Sequence, residues 1–120
     1  MAQDPAASLL APVELYLLMV LAEGASYGYE IMKQVEAHSA GAVRPDIGSL
    51  YRVLARLTAQ GFVLEADAPR DAPDAHPGRA RRYYRITPAG RRALRAELGR
   101  LRSLVDLARQ RDLLPGRGRP

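Results

Sequence analysis

Between Leu9 and Leu21 the chain is apolar on nearly every side of a helix. Leu9, Val13, Tyr16, Leu17, Val20 and Leu21 recur at helical spacing, and Leu10, Leu15, Leu18 and Met19 fill most of the remaining arc. Such a helix is stable in water only when two of its faces are covered. One face can meet its own domain, and the other requires a second chain or another helix. Glu23, Gly24 and Ala25 end the segment, with Gly24 placed to cap its C-terminus. The 120 residues make one domain that can bury a core without metal or disulfide. Cysteine is absent, which excludes disulfide frameworks, cysteine-ligated zinc and thiol nucleophiles together. No apolar run is long enough to span a bilayer, and the N-terminal segment lacks the basic start, apolar run and cleavage site of a signal peptide. The expectation is a soluble cytoplasmic protein.

A second helix is expected from Tyr27 to about His38, with Ser26 as its N-cap, Tyr27, Ile31, Met32 and Val35 facing inward, and Glu30, Lys33 and Glu36 outward. A loop over 39–44 leads to Pro45 and Asp46, a start signal in which Asp46 is the better cap. Leu50, Val53, Leu54 and Leu57 then recur at i, i+3, i+4 and i+7, which buries one face of a third helix ending at Gly61. The opposite arc carries Gly48, Ser49, Arg52 and Arg56, with Tyr51 on the flank. Small residues let the helix start approach a surface closely, and arginines and an aromatic follow within two turns, a pattern suited to entering a DNA groove. Helix, helix, short link, helix is the helix-turn-helix order.

Two short strands follow, one at Phe62 to Ala66 and one at Arg81 to Ile86, joined by a loop containing Pro69, Pro73, Pro77 and Gly78. A two-stranded unit after three helices makes a wing. Its loop is acidic in the middle, at Asp71 and Asp74, and basic where it rejoins the strand, at Arg79, Arg81 and Arg82. The base of the wing rather than its tip is therefore expected to meet phosphate. Tyr83 and Tyr84 point to opposite faces of the second strand, so at least one belongs to the core. Thr87 and Pro88 start a last helix running to about Arg111. Along it Leu94, Leu98, Leu101, Val105 and Ala108 alternate steps of four and three, a coiled-coil spacing. At about 35 Å this helix is longer than its own domain needs, and it reads as a dimerisation helix.

Charge is distributed unevenly. Met1 to Gly78 holds five basic residues against ten acidic ones, whereas Arg79 to Pro120 holds thirteen arginines against Glu97, Asp106 and Asp112. The positive charge is concentrated in one part of the chain, and a polyanion is its natural partner. Catalysis has little support. His38 and His76 are far apart, and no carboxylate pair, phosphate-cradling glycine loop or HExxH pattern accompanies them. Neither a metal nor a cofactor is implied.

Four local patterns together resemble the PadR family of bacterial winged-helix transcriptional regulators. Tyr27-Gly28-Tyr29-Glu30-Ile31 resembles its second-helix signature. Gly48-Ser49-Leu50-Tyr51, with Leu54, Leu57, Gly61 and Phe62, resembles its recognition helix. Arg82-Tyr83-Tyr84-Arg85-Ile86-Thr87-Pro88-Ala89-Gly90 resembles the second wing strand and the start of the last helix. The apolar first helix resembles the element that packs against that last helix across the dimer. The match runs from about Leu9 to Asp106, and the single C-terminal helix resembles the shorter subfamily. The resemblance implies a mainly α fold with a small β-wing: a disordered start over 1–8, a winged helix-turn-helix DNA-binding domain over 9–86, a dimerisation helix over 87–112 and a disordered tail over 113–120. It also implies a homodimer that represses transcription from an operator with inverted repeats.

Candidate DNA contacts are Ser49, Tyr51, Arg52 and Arg56 on the third helix, Lys33 and Arg44 as backbone-positioning cations, and Arg81 and Arg82 at the wing. Tyr51 can close the edge of the core as well as reach DNA, because its ring is apolar and its hydroxyl polar. The candidate dimer interface comprises Leu10, Leu17, Leu94, Leu98, Leu101, Val105 and Ala108. An alternative reading is a ligand-binding sensor dimer, in which Tyr16, Met19 and Leu101 line an interface cavity for a small aromatic or drug-like effector. A basic RNA-binding dimer is weaker, since paired exposed aromatics on a sheet are not evident.

Overall fold

A computed structural model describes residues 9–68 and 82–115. The expectations for 1–8, for the loop between the wing strands with Arg79 and Arg81, and for 116–120 lie outside the described residues. Four helices and three short strands follow in the order α1 (Pro12–Ala22), β1 (Ser26–Tyr27), α2 (Gly28–His38), α3 (Ile47–Ala59), β2 (Val63–Ala66), β3 (Tyr83–Ile86) and α4 (Pro88–Gln110). The strands form one antiparallel sheet in the order β1-β3-β2, with Val63 opposite Ile86 and Ser26 opposite Tyr84. The architecture is the mainly α winged helix expected from the residue pattern.

α1 begins at Pro12 rather than at Leu9. Ala11 is extended, with φ −67° and ψ 156°, and a proline fits the first helical position because the backbone N–H it lacks would be unpaired there. Alanine offers no capping oxygen, so the end is secured from inside the helix, where Glu14 Oε1 accepts the Ala11 N–H at 2.7 Å. The other carboxylate oxygen, Oε2, accepts from Arg56 Nε of α3 at 3.1 Å. One buried acid therefore caps α1 and ties it to the third helix.

Leu17, Leu18 and Leu21 are enclosed by α2, α3, β3 and α4 of the same chain. Leu94 of α4 joins that core. Leu17 and Leu94 are thus corrected from the dimer-interface set: at 0% and 5% exposure they offer no surface to a second chain. Leu10 is half-buried against the core. Tyr84 packs into the core, and Tyr83 is buried on the other side of the strand against Tyr27, ring centroids 5.4 Å apart.

Ser26 does not cap α2. It lies in β1, and Tyr27 holds the cap position without a side-chain hydrogen bond. Pairing of Ser26 and Tyr27 with β3 is a tertiary effect that overrides the local capping signal. α3 starts as expected, with Asp46 Oδ1 accepting the Ser49 N–H at 2.7 Å. It ends in a Schellman turn: Gly61, at φ +81°, donates to the Thr58 carbonyl and Phe62 to that of Leu57. The turn is the seat of α4. Thr87 donates from its N–H to the Phe62 carbonyl and from Oγ1 to that of Gly61, and Oγ1 then accepts the Gly90 N–H at 3.0 Å.

The two glycines of α4 have opposite roles. A Cβ on Gly90 would collide with the Phe62 carbonyl oxygen and lie 2.8 Å from Ile86 Cγ1, whereas nothing lies within 4 Å of one on Gly99. Gly90→Ala should lower unfolding free energy by about 1–3 kcal/mol, since the obstacle is backbone that cannot swing aside. Gly99→Ala should raise it by about 0.5–1 kcal/mol through helix propensity. Thermal unfolding of the two variants should show shifts of opposite sign. Glu14→Gln keeps the shape but removes the charge facing Arg56. A loss of about 1–2 kcal/mol is expected, discounted for the half-exposed guanidinium. That loss should shrink in an Arg56→Ala background, as a double-mutant cycle by denaturant unfolding would read.

Candidate nucleic-acid interface

The exposed arc of α3 is built from its N-terminus. Asp46 is fully exposed, and its carboxyl is held below the usual carboxylate range chiefly by the Ser49 backbone N–H, with help from the Ser49 hydroxyl and the Arg52 guanidinium. The Ser49 hydroxyl in turn accepts from Arg52 Nη2 at 3.0 Å. A guanidinium and a hydroxyl are thereby gathered at one corner of the helix start. Gly48 leaves that corner open to close approach, with only Asp46 Oδ1 at 3.5 Å and Arg52 Nη1 at 3.8 Å from where its Cβ would stand. Such a corner can donate several hydrogen bonds to an anion or to base edges.

Two further cations sit beside it. Lys33 and Arg44 share an open cleft of about 390 Å³ with Met32, Glu36, Pro45 and Asp46. Each cation is loosely paired, Lys33 with Glu30 at 3.7 Å and Arg44 with Glu36 at 3.8 Å. Surface pairs of this kind hold their partners weakly, so both side chains can reorient toward phosphate. With as many carboxylates as cations on its walls the cleft is no anion pocket in itself.

On the other flank, Tyr51 lies over Gly28 at the first turn of α2 and remains partly exposed. Its neighbour in the core is Tyr84, whose phenol burial pushes above its ordinary value while a hydrogen bond from Arg82 and the charge on Glu65 act in opposite senses. Arg82 is exposed at the entry to β3. Tyr29, exposed in the first turn of α2, adds an aromatic that the sequence pattern did not single out.

The structure separates Arg56 from this group. Its guanidinium turns back to Glu14 of α1 instead of facing outward with Arg52, because it lies a full turn further along α3, where α1 supplies a buried carboxylate. No signal in the sequence links residues 14 and 56. Of the residues suggested for a ligand cavity, Met19 is exposed on α1, and Tyr16 and Leu101 are half-buried. Among the described residues no group of three metal-ligating side chains occurs, and no helix is long and apolar enough to cross a membrane.

Comparison with known proteins agrees with this architecture. The chain is 36% identical over 100 residues to Transcriptional regulator Rv3488 of Mycobacterium tuberculosis, spanning 83% of this chain and 82% of that one. It superposes on a transcriptional regulator from Clostridium thermocellum with a TM-score of 0.63 at 27% identity, covering 82% and 87% of the two chains. Bacillus subtilis PadR in complex with operator DNA shares the fold, with a TM-score of 0.60 at 19% identity over 73% of this chain and 47% of that one. The model of the Transcriptional regulator PadR-like family matches residues 17–96, and a chain that carries that family's winged helix over most of its length belongs to it, as a regulator of transcription and not an enzyme.

Proposed function

We propose that the protein is a sequence-specific DNA-binding repressor that occupies an inverted-repeat operator as a homodimer. The observation that carries this reading is the N-terminal corner of α3, where Ser49 and Arg52 are joined by a hydrogen bond on an open surface beside Gly48. Lys33 and Arg44 line a cleft that Asp46 also borders, and Tyr51 lies against Gly28 of α2. Arg52 is the residue best placed to read a base edge, since a guanidinium can bind guanine through two parallel hydrogen bonds. Lys33, Arg44 and Arg82 would fix register on the phosphates, and Arg81, next in sequence to Arg82, belongs with them. Operator DNA bound by the Bacillus subtilis relative supports the same use of the fold here.

The dimer follows from the second half of α4. From Leu98 onward no residue of that helix is buried, and Leu98, Leu104 and Leu107 are exposed with Leu101, Val105 and Ala108 half-covered. An apolar stripe of this length is stable in water when a second chain covers it. Residues 9–86 then serve as the DNA-binding unit and 87–112 as the dimerisation helix. A two-fold symmetric dimer presents two α3 corners, which matches an operator with inverted repeats.

A mobility shift with the DNA upstream of the protein's own gene, against unrelated competitor DNA, tests the central point. Selective binding that weakens steeply as salt rises is expected. Arg52→Ala should lower operator affinity by roughly 5- to 150-fold, the worth of one bidentate base contact, with the helical content unchanged. An unaltered operator complex in that variant would remove Arg52 from the site. Leu101→Glu with Leu104→Glu should give the mass of one chain instead of two in light scattering, and a dimer that persists would move the interface off α4.

A further inference from the structure

Gly28 opens α2, and the usual reasons for a glycine do not apply to it. Its φ is not in the left-handed range, and it neither ends a helix nor turns a hairpin. What it supplies is space: a Cβ there would stand 2.5 Å from Tyr51 Oη and 2.8 Å from Tyr51 Cζ. Tyr51 belongs to α3, next to Arg52 and two residues after Ser49, and is partly exposed. An alanine at 28 would therefore either swing the phenol into solvent or lever α3 away from α2. Both outcomes change the surface that Tyr51 makes with Ser49 and Arg52.

We propose that Gly28 is a positioning residue for DNA binding: the missing side chain seats the Tyr51 phenol on the first turn of α2 and thereby sets the distance between that turn and the Ser49–Arg52 arc of α3. This rests on the DNA-binding reading above. A groove admits a helix in one orientation, and side chains at its N-terminus reach base edges only when that orientation is held. Contacts to phosphate tolerate displacement far better, because long cationic side chains follow the backbone. Loss of the seat should consequently reduce discrimination more than total affinity.

The test is a cycle of wild type, Gly28→Ala, Tyr51→Ala and the double variant, each titrated against upstream operator DNA and against unrelated DNA, with circular dichroism and thermal unfolding alongside. Gly28→Ala should reduce the ratio of operator to unrelated-DNA affinity by about tenfold, the worth of one base contact. In the Tyr51→Ala background the same substitution should change that ratio by less than about twofold, since no ring remains to be displaced. Should Gly28→Ala fail to fold, the double variant restores folding by removing the obstacle, and a double variant that also fails overturns the proposal. An equal loss from Gly28→Ala in both backgrounds overturns it too, as does a fall in operator and unrelated-DNA affinity by the same factor. If the wild type itself binds no DNA selectively, the DNA-binding reading fails and the proposal falls with it. Selective wild-type binding with an additive cycle sinks the proposal alone.

Discussion

Leu17 and Leu18 are consecutive on α1 and both are fully enclosed. Neighbouring positions on a helix point about 100° apart, so no single surface can cover the pair. The fold is a solution to that demand. α2, α3, β3 and α4 all pack on α1, so that α1 touches the helix-turn-helix, the sheet and the last helix at once. Without that cover α2 and α3, of 11 and 13 residues, are too short to be stable alone, because isolated helices of this length gain too little from their own hydrogen bonds. A second chain is not needed to bury Leu17 or Leu18. The apolar surface left uncovered lies further along α4.

Two unlike contacts hold α3 in place, one to α1 and one to α2. At the far end of α3, Arg56 is fastened to Glu14, whose other oxygen already holds the start of α1. At the near end the fit is steric, with a tyrosine ring laid on a glycine. A charge-assisted hydrogen bond limits rotation about one end, and a ring against backbone limits the spacing at the other. Between them the exposed side chains of α3 gain little freedom of their own. Ser49 is hydrogen-bonded both to the Asp46 cap and to Arg52, which holds the corner in one arrangement.

Much of this was legible in the residues. The period of Leu50, Val53, Leu54 and Leu57, the Asp46 cap, the Gly61 stop and the Thr87-Pro88 start are local signals, and each is found where its chemistry put it. What escaped were features produced by distant partners. Ser26 is a good capping residue by type, yet it lies in β1 because Tyr84 offers it a backbone partner. Arg56 shares an exposed arc with Arg52 by winding alone, and its hydrogen bond to Glu14, 42 residues away, ties the half-exposed side chain to α1. Leu94 fits a coiled-coil seam and is nevertheless core, because α4 is anchored on the Gly61–Phe62 turn and its first two turns are drawn against α1 and β3. Heptad spacing cannot tell which part of a long helix its own domain will claim.

That division of α4 bears on how charge and specificity are shared. The chain beyond Gly78 holds thirteen arginines, whereas the exposed corner of α3 contributes only Arg52. Some of the excess is neutralised within α4, where Arg100 pairs with the buried Glu97 at 2.7 Å and Arg109 with Asp106 at 3.3 Å. Arg91 donates to the Ala22 carbonyl and so closes the C-terminal end of α1. Arg82, Arg85, Arg92, Arg95 and Arg102 remain exposed. A field from these residues acts over a Debye length of about 8 Å at physiological salt and does not depend on base sequence. It can draw a polyanion toward the protein, but selection among sequences must come from the few groups held in fixed geometry. On this chain those are the groups that α1, Gly28 and Asp46 hold in place.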